Sequence, residues 1–285
     1  MTPGEKHGRT GSGPALFRAR PATVTAAMTF AALAVFFGLI LAVVLQDQLG
    51  LDMPALQQIR TNFINNFLTD SRYLWLISGL GQTLIITVFS TLLGVTIGLI
   101  LAIVKVMNYA GRRIFFLTRF ADIYLTVIRG TPVVVQLLII YYIVFGTVPV
   151  SKVLVAVLAF GINSGAYVAE IIRSGIMAVD RGQMEAGRSL GLTYATTMRK
   201  IILPQAIKNI LPALFNELIT LLKETAVVGY IAVADLTRAG DMIRSRTYDA
   251  FMPLLVVAAI YLVIVLGLTR MMAALERRLR RSDNR

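Results

Sequence analysis

Residues 73–104 read YLWLISGLGQTLIITVFSTLLGVTIGLILAIV, a run without a single charged side chain. An α-helix rises about 1.5 Å per residue, so roughly 20 apolar residues cross the hydrocarbon core of a bilayer. A helix over this run is therefore long enough to span a membrane. Three further uncharged runs lie at 21–46, 130–151 and 250–269. Together these runs predict an all-α polytopic membrane protein.

The composition supports the same class of protein. Hydrophobic residues make up 56% of the 285 residues and charged residues 15%, and the mean hydropathy is +0.73. A soluble domain of this composition would expose apolar surface that it has too few polar residues to cover. The net charge is +13. Its Lys and Arg residues cluster in alternate loops rather than on a separate basic domain, which argues against nucleic acid as a partner.

Six transmembrane helices are predicted, of which the fifth is the least apolar because Glu217, Lys223 and Glu224 interrupt it. The predicted spans cover 23–46, 74–104, 120–147, 151–177, 207–233 and 250–273. The first is too long for a signal-peptide core and is followed by no convincing cleavage site, so we expect it to be retained.

The remaining segments are predicted to be tails and loops around a five-helix core. They comprise a disordered basic tail at 1–22, an extracytoplasmic loop at 47–73, the core at 74–275 and a basic tail at 276–285. Six spans put both termini on one side, and that side carries about three times as many Lys and Arg residues as the other. Since cytoplasmic loops carry this excess, both termini and the polar loop at 180–205 are predicted to face the cytosol.

The composition also excludes several kinds of chemistry. The chain contains no cysteine, and its one histidine, His7, lies in the N-terminal tail, so no metal site is predicted. The Gly-x-x-x-x-Gly-Lys-Ser/Thr phosphate loop is absent from the sequence. The chain is therefore not expected to hydrolyse ATP by that route, and no catalytic residue is assigned.

The longest patterned polar stretch lies between the fourth and fifth predicted spans, where residues 185–205 read EAGRSLGLTYATTMRKIILPQ. Asp180 and Thr193 are placed to cap two short helices, and Gly191 suits a tight turn between them. Pro204 marks a bend back towards the membrane. The second helix carries one apolar stripe, formed by Tyr194, Met198, Ile201 and Ile202. Two such helices form either a hairpin on the membrane surface or a docking site for another protein.

This stretch resembles the EAA loop of ABC importer permeases. The resemblance rests on Glu185, Ala186, Gly187, Gly191, Ile201, Leu203 and Pro204. Position 187 is Gly where the family usually has Ala. The resemblance implies that the loop inserts into a groove on a cytosolic ATPase subunit, so these residues are predicted to couple the chain to that partner. ATP and Mg²⁺ would be bound by the ATPase, and this chain would bind no cofactor.

Neighbouring motifs narrow the resemblance to the polar amino acid uptake permeases. The family's Arg-Gly-Thr-Pro signature is matched by Arg129, Gly130, Thr131 and Pro132, with Gln136 after it. Residues 165–176, GAYVAEIIRSGI, include Arg173 and resemble the family's Gly-Ala-Tyr-x-Ala-Glu-x-x-Arg-Gly-Gly-Ile block. The resemblance covers about 74–275 and implies the type I ABC importer permease architecture with cytoplasmic coupling helices.

Polar residues within the predicted spans indicate a path for a solute. A charge at mid-membrane costs ~2.5–3.5 kcal/mol on insertion scales, so the charges that remain usually face a partner or an aqueous pathway. The predicted pathway residues are Asn163, Tyr167 and Glu170 on the fourth span and Lys223 and Glu224 on the fifth. Ion pairs inside the membrane, such as Glu170 with Arg173 or Lys223, are the structural alternative. For Arg129 and Arg173 a structural or snorkelling role is favoured.

These features predict the membrane subunit of an ATP-driven importer of polar amino acids in the bacterial cytoplasmic membrane. Its partners would be a cytosolic ABC ATPase dimer, a second permease copy or homologous permease, an extracytoplasmic solute-binding protein, the amino acid and membrane lipid. The alternative is a secondary amino acid transporter coupled to an ion gradient, with Glu170 or Glu224 as proton carrier. That alternative leaves 185–204 unexplained, and no inverted internal repeat is visible. A non-transporting membrane scaffold would leave the polar stripes without purpose.

Overall fold

The computed structural model describes residues 54–109 and 114–281, together with four helical positions in the first apolar run, Ala31, Ala34, Gly38 and Leu41. The chain divides into two compact units, residues 1–60 and 61–285. Apart from those four positions, the predicted first span at 23–46 lies outside the described residues, as does the predicted tail at 1–22.

The described part of the chain is helical and contains no β-strand. In chain order its helices are α1 (Pro54–Phe63), α2 (Tyr73–Tyr109), α3 (Phe115–Gly130), α4 (Val133–Ile139), α5 (Lys152–Met177), α6 (Arg181–Ser189), α7 (Tyr194–Thr197), α8 (Leu203–Glu224), α9 (Leu236–Thr247) and α10 (Phe251–Arg281). A π turn at Ile140–Val144 continues α4, and another at Met198–Ile202 joins α7 to α8. The predicted all-α fold class is confirmed.

The apolar helices agree with the predicted core spans except at the third and the fifth, where the α-helix ends at Glu224. Among the described helices, α2, α5 and α10 are each long and apolar enough to cross a membrane. Helices α3 and α4 qualify only as a pair bent by 108°, so the span predicted at 120–147 is interrupted at Thr131 and Pro132. Helix α8 is not among the apolar helices, in line with the charges that weaken the predicted span at 207–233.

The centre of the second unit is the close packing of α2 against α5. A Cβ atom on Gly98 would lie 2.5 Å from Cγ1 of Val168, and one on Gly94 would lie 2.9 Å from Cβ of Ser164. Small residues at this spacing let two helix backbones approach closely within a membrane. Because residue numbers rise together along these contacts, α2 and α5 run parallel. The broken span between them therefore returns the chain across the membrane.

Helix α9 is capped by a buried carboxylate, and its first backbone N–H bonds to α2. Asp235 is completely enclosed and accepts hydrogen bonds from the backbone N–H groups of Thr237 (3.1 Å) and Arg238 (3.0 Å). The backbone N–H of Leu236 donates to the Thr83 hydroxyl on α2 (3.1 Å). Burial raises the pKa of the Asp235 carboxyl, although these hydrogen bonds oppose the effect. Helix α9 thus lies near the end of the unit opposite to the C-terminal end of α5.

Candidate functional site

The polar loop predicted at 180–205 folds into two short helices, α6 and α7, followed by the π turn at Met198–Ile202. We call residues 180–202 the knob. Asp180 caps α6 by accepting a hydrogen bond from the N–H of Gly182 (2.8 Å). Thr193 caps α7 by accepting from the N–H of Thr196 (3.3 Å). Both caps occur where the sequence predicts them, because Asp and Thr side chains satisfy the free N–H groups at helix starts.

Gly191 forms the turn between the two helices of the knob. The N–H of Leu192 donates to Gly187 O (3.1 Å) and the N–H of Gly191 donates to Arg188 O (2.9 Å). This pair of bonds is a Schellman motif, which places the residue at position 191 in the left-handed region. Gly191 has a φ of +80°, and no atom of the described residues lies within 4 Å of a Cβ built on it. The tight turn expected at Gly191 is therefore present.

Gly187 is the point of close approach within the knob. A Cβ atom at this position would lie 2.5 Å from Cγ2 of Thr197, which is fully buried. The Ala that related loops usually carry here would therefore require Thr197 to move. Pro204 lies in the first turn of α8, where its missing N–H is tolerated. The predicted bend at Pro204 is instead a π turn immediately before α8, and the chain stays helical through it.

The inner face of the knob packs on the ends of two long helices. Ile202 is buried, and Met198 and Ile201 are half-buried beside it. They belong to one apolar cluster with residues near the end of α5 and the beginning of α8, namely Val168, Ile172, Val179, Ala206 and Ile210. The predicted apolar stripe on the second helix therefore attaches the knob to α5 and α8, although its first member, Tyr194, remains 38% exposed.

The outer face of the knob is exposed and includes one large apolar side chain. Leu190, next to the turn at Gly191, is 80% exposed. Glu185, Ala186 and Arg188 on α6 are exposed as well. Leu190 is absent from the residues predicted to couple the chain to an ATPase. The sequence feature that could have identified Leu190 is its position. It is an apolar residue next to the turn glycine Gly191 and lies outside the apolar stripe of the second helix.

The broken span is held in its bent form by a buried amide, which we call the Gln136 clasp. The side-chain nitrogen of Gln136 donates to Ile128 O (2.7 Å) and to the Thr131 hydroxyl (2.7 Å), and also contacts Thr131 O (3.1 Å). Its carbonyl accepts from the Asn163 side chain on α5 (3.0 Å). Gln136 therefore satisfies carbonyls that the end of α3 leaves free. Asn163, predicted to line the pathway, is 3% exposed and belongs to this clasp.

A charged cleft opens between α2, α3 and α5 and has a volume of about 570 Å³. Its polar lining comprises Lys105, Asp122, Thr126, Arg129, Tyr167 and Glu170. The predicted pathway residues Tyr167 and Glu170 thus meet Arg129 of the Arg-Gly-Thr-Pro motif. Sequence reasoning does not point to Lys105 and Asp122, because no spacing along the chain relates them to α5.

Most charges around the cleft are paired. Lys105 Nζ lies 2.8 Å from Asp122 Oδ1, and Arg173 Nε donates to Glu170 Oε2 at 2.9 Å. The second of these pairs is the structural alternative considered for Glu170. The guanidinium carbon of Arg129 lies 5.6 Å from the centre of the Tyr167 ring, a cation–π contact.

Helix α8 carries the other predicted polar residues. Glu217, half-buried, accepts a hydrogen bond from the buried Ser164 hydroxyl on α5 (2.8 Å). Lys223 is exposed and Glu224 is half-buried, and neither lines the charged cleft. Within the described residues, Lys223 forms no ion pair with Glu170 or Glu224. The five predicted pathway residues are thus divided among the clasp, the cleft and α8, and their role in transport stays a prediction.

Apolar helices that enclose polar side chains, with a knob of two short helices between α5 and α8, are the arrangement expected of a transport permease. Sequence comparison identifies the protein family within this class. Residues 94–281 match the family described as binding-protein-dependent transport system inner membrane component, and the chain belongs to that family. It is a membrane permease subunit and not an enzyme.

Related proteins extend this assignment. The chain is 42% identical over 214 residues to the arginine transport system permease protein ArtQ of Bacillus subtilis, covering 73% of this chain and 94% of ArtQ. It is 39% identical over 212 residues to the putative glutamine transport system permease protein GlnP of Rickettsia typhi, with the same coverage of 73% and 94%. A solved structure of an amino acid ABC transporter with histidines matches at 49% identity and a TM-score of 0.68, covering 74% of this chain and 98% of that one. The family predicted from the motifs is confirmed.

Proposed function

We propose that this chain moves polar amino acids into the cell as the membrane subunit of a complex powered by a separate ATPase. The observation that carries the proposal is the knob, whose inner face is packed on transmembrane helices while its outer face is free. Relatives named as arginine and glutamine permeases support an amino acid as the solute. ATP and Mg²⁺ would be bound by the ATPase and not by this chain.

The knob is the proposed coupling element because it joins the outer surface to α5 and α8. Leu190 and Glu185 would contact a groove on a cytosolic ATPase dimer. Closure of that dimer would move the knob, and the apolar cluster around Ile202 would transmit the movement to α5. Glu170 and Tyr167 of the charged cleft lie on that helix. Movement of α5 would therefore alternate the access of the pathway between the two sides of the membrane.

The remaining partners follow from the proposed orientation in the bacterial cytoplasmic membrane, with both termini in the cytosol. A second permease copy or a homologous permease would complete the pathway around a two-fold axis. A solute-binding protein would dock on the outer side. There α9 presents Arg238 and Arg244, both paired with Asp241, and the exposed Arg246. Membrane lipid would cover the apolar faces of α2, α3 and α10.

The test is reconstitution of the chain into liposomes with and without its ATPase and binding protein. We expect ATP-dependent accumulation of an amino acid by the complete system and none by the chain alone. The alternative hypothesis is a secondary transporter coupled to an ion gradient. It predicts uptake by the chain alone when a proton or sodium gradient is imposed. Such uptake would exclude the proposal.

Leu190 allows a sharper test of the knob. Replacing an exposed apolar contact residue with a charge should remove it from a groove without disturbing the fold, since its side chain has few contacts to lose. We expect Leu190→Asp to abolish co-purification of the ATPase, whereas Leu190→Met should preserve it. Normal co-purification and uptake by Leu190→Asp would place the ATPase contact elsewhere.

A further inference from the structure

One face of α8 is polar along most of its length, although the helix lies in the predicted fifth span. Its exposed members, which we call the α8 stripe, are Gln205, Asn209, Asn216, Thr220 and Lys223. At about 100° per residue, they all fall within an arc of roughly 60°. From Asn209 onwards, every exposed residue of α8 belongs to the stripe. Lipid tails offer no hydrogen-bond partner, so this face needs water or a polar partner within the membrane.

The outer end of the α8 stripe carries adjacent charges of opposite sign. Helix α8 begins at Leu203 beside the knob, and Lys223 lies about 30 Å further along the axis. Glu224, the next residue, is half-buried. The two charges act on each other, but among the described residues no carboxylate oxygen lies within 4.0 Å of Lys223 Nζ. Lys223 therefore lacks the close ion pair that a cation within a membrane protein usually has.

The order of these two charges suits a two-fold axis. In an isologous interface the same face of each copy meets its equivalent, so a lysine that stood alone would oppose a like charge. A glutamate next to the lysine removes that repulsion, because each copy then supplies both the cation and the anion. A homologous permease could instead provide the complementary charge from its own sequence. The adjacency of lysine and glutamate thus favours an identical copy as the occupant of this face.

We propose that the α8 stripe faces a second copy of this chain, and that Lys223 of each copy pairs with Glu224 of the other at the outer end of the helix. The proposal rests on the proposed function, in which two permeases enclose the pathway. It adds the helix and the residues that join them, and it selects an identical copy over a homologous permease. Thr220, a small side chain one turn nearer the knob, would let the two helices approach closely.

Disulfide cross-linking tests the contact, and the absence of cysteine from the sequence makes it specific. Thr220→Cys is expressed together with the ATPase, and isolated membranes are oxidised with copper phenanthroline. Because the stripe of one copy would face that of the other, we expect a covalent dimer of this chain, identified by mass spectrometry. Leu262→Cys is the matched control, since Leu262 is also exposed but lies on α10. It should remain monomeric.

Charge exchange then tests the ion pair itself. In the Thr220→Cys background, Lys223→Glu or Glu224→Lys alone would oppose like charges across the axis. We expect either change to slow cross-linking by about 10-fold or more. The double exchange of Lys223→Glu with Glu224→Lys restores opposite charges and should restore the rate, a recovery that misfolding of the single variants does not explain. Arg246→Glu, an exposed charge reversal outside α8, should leave the rate unchanged.

Several results would overturn the proposal. Cross-linking of Leu262→Cys at least as fast as that of Thr220→Cys would place the interface elsewhere. A product that joins this chain to a different permease would assign the stripe to a homologous partner. Single charge reversals without effect, or a double exchange as slow as the single ones, would exclude the ion pair.

ATP-dependent uptake by the complete wild-type system is measured separately. Uptake without the Thr220→Cys cross-link contradicts this interface and leaves the proposed function standing. Cross-linking without uptake contradicts the proposed function and leaves the interface standing.

Discussion

Two glycines of the knob are required for different physical reasons. Gly191 adopts a φ of +80°, so a side chain there would strain the backbone, but it would not clash with any described residue. Gly187 has ordinary helical geometry, but a methyl group on it would meet Thr197 at 2.5 Å. A motif comparison treats both positions as small residues. Only the tertiary structure distinguishes a glycine needed for its conformation from one needed for its small size.

Gly191→Ala is expected to weaken the knob through strain alone. An L-residue in the left-handed region costs roughly 1–2 kcal/mol, and the Schellman bonds around position 191 would be lost or distorted. We predict reduced ATPase co-purification with normal membrane insertion. Gly191→Asn, a residue that tolerates this region, should retain more co-purification than Gly191→Ala. Equal ATPase co-purification by Gly191→Asn and Gly191→Ala would exclude backbone strain as the cause of the reduced co-purification.

At the scale of secondary structure elements, the break between α3 and α4 decides where the Arg-Gly-Thr-Pro motif lies. Pro132 has no N–H to continue α3, and Thr131 is extended. The free carbonyl of Ile128 and the Thr131 hydroxyl are then satisfied by Gln136, which in turn is held by Asn163 on α5. The clasp thus connects the bend to the helix that carries the knob.

Gln136→Leu tests the clasp. The apolar side chain would leave buried carbonyls and the Asn163 amide without partners, at about 1–3 kcal/mol for each unsatisfied group. We predict a lower midpoint of thermal unfolding of the purified chain in detergent and a loss of uptake. Gln205→Leu provides the control, because Gln205 also donates to a carbonyl, Ile201 O at 2.9 Å, but is exposed. Similar midpoints for the two variants would contradict a structural role for the clasp.

At the scale of the whole molecule, the parallel packing of α2 and α5 brings Lys105, Glu170 and the knob to the same end of the second unit. The relatives align with about three quarters of this chain while covering nearly all of their own length, and the family match begins at residue 94. The prediction that residues before the second unit extend the shared core is compatible with these matches and stays a prediction. Their predicted span and loop remain predictions.

Deletion of residues 1–60 is expected to leave the core functional. The unit at 61–285 contains the matched residues, the clasp, the cleft and the knob. We predict that the shortened chain still inserts, co-purifies with the ATPase and supports ATP-dependent uptake in the reconstituted system. Loss of uptake with intact ATPase binding would assign the extension a direct role in transport.

The fold could largely be predicted from the sequence because its determinants are local. Uncharged runs of sufficient length predict helices that cross a bilayer, and α2, α5 and α10 occur where such runs lie. Asp180, Thr193 and Gly191 act on backbone groups within a few residues, so their caps and turn could be read from the chain. The interruption of the third span was not predicted, although Pro132 is a local signal for it. The bend is held by Gln136, which meets Thr131 and Asn163 only in the folded chain.

The sequence by itself determined the class of protein, the family and the three uninterrupted spans α2, α5 and α10, since hydropathy and ordered motifs are properties of neighbouring residues. Only the tertiary structure decided that Asn163 supports a bend, that Glu170 pairs with Arg173, and that Arg129 shares a cleft with Tyr167 and Lys105. These contacts join helices far apart in the chain. Which polar residues meet depends on the packing and rotation of those helices, and no spacing along the sequence specifies either.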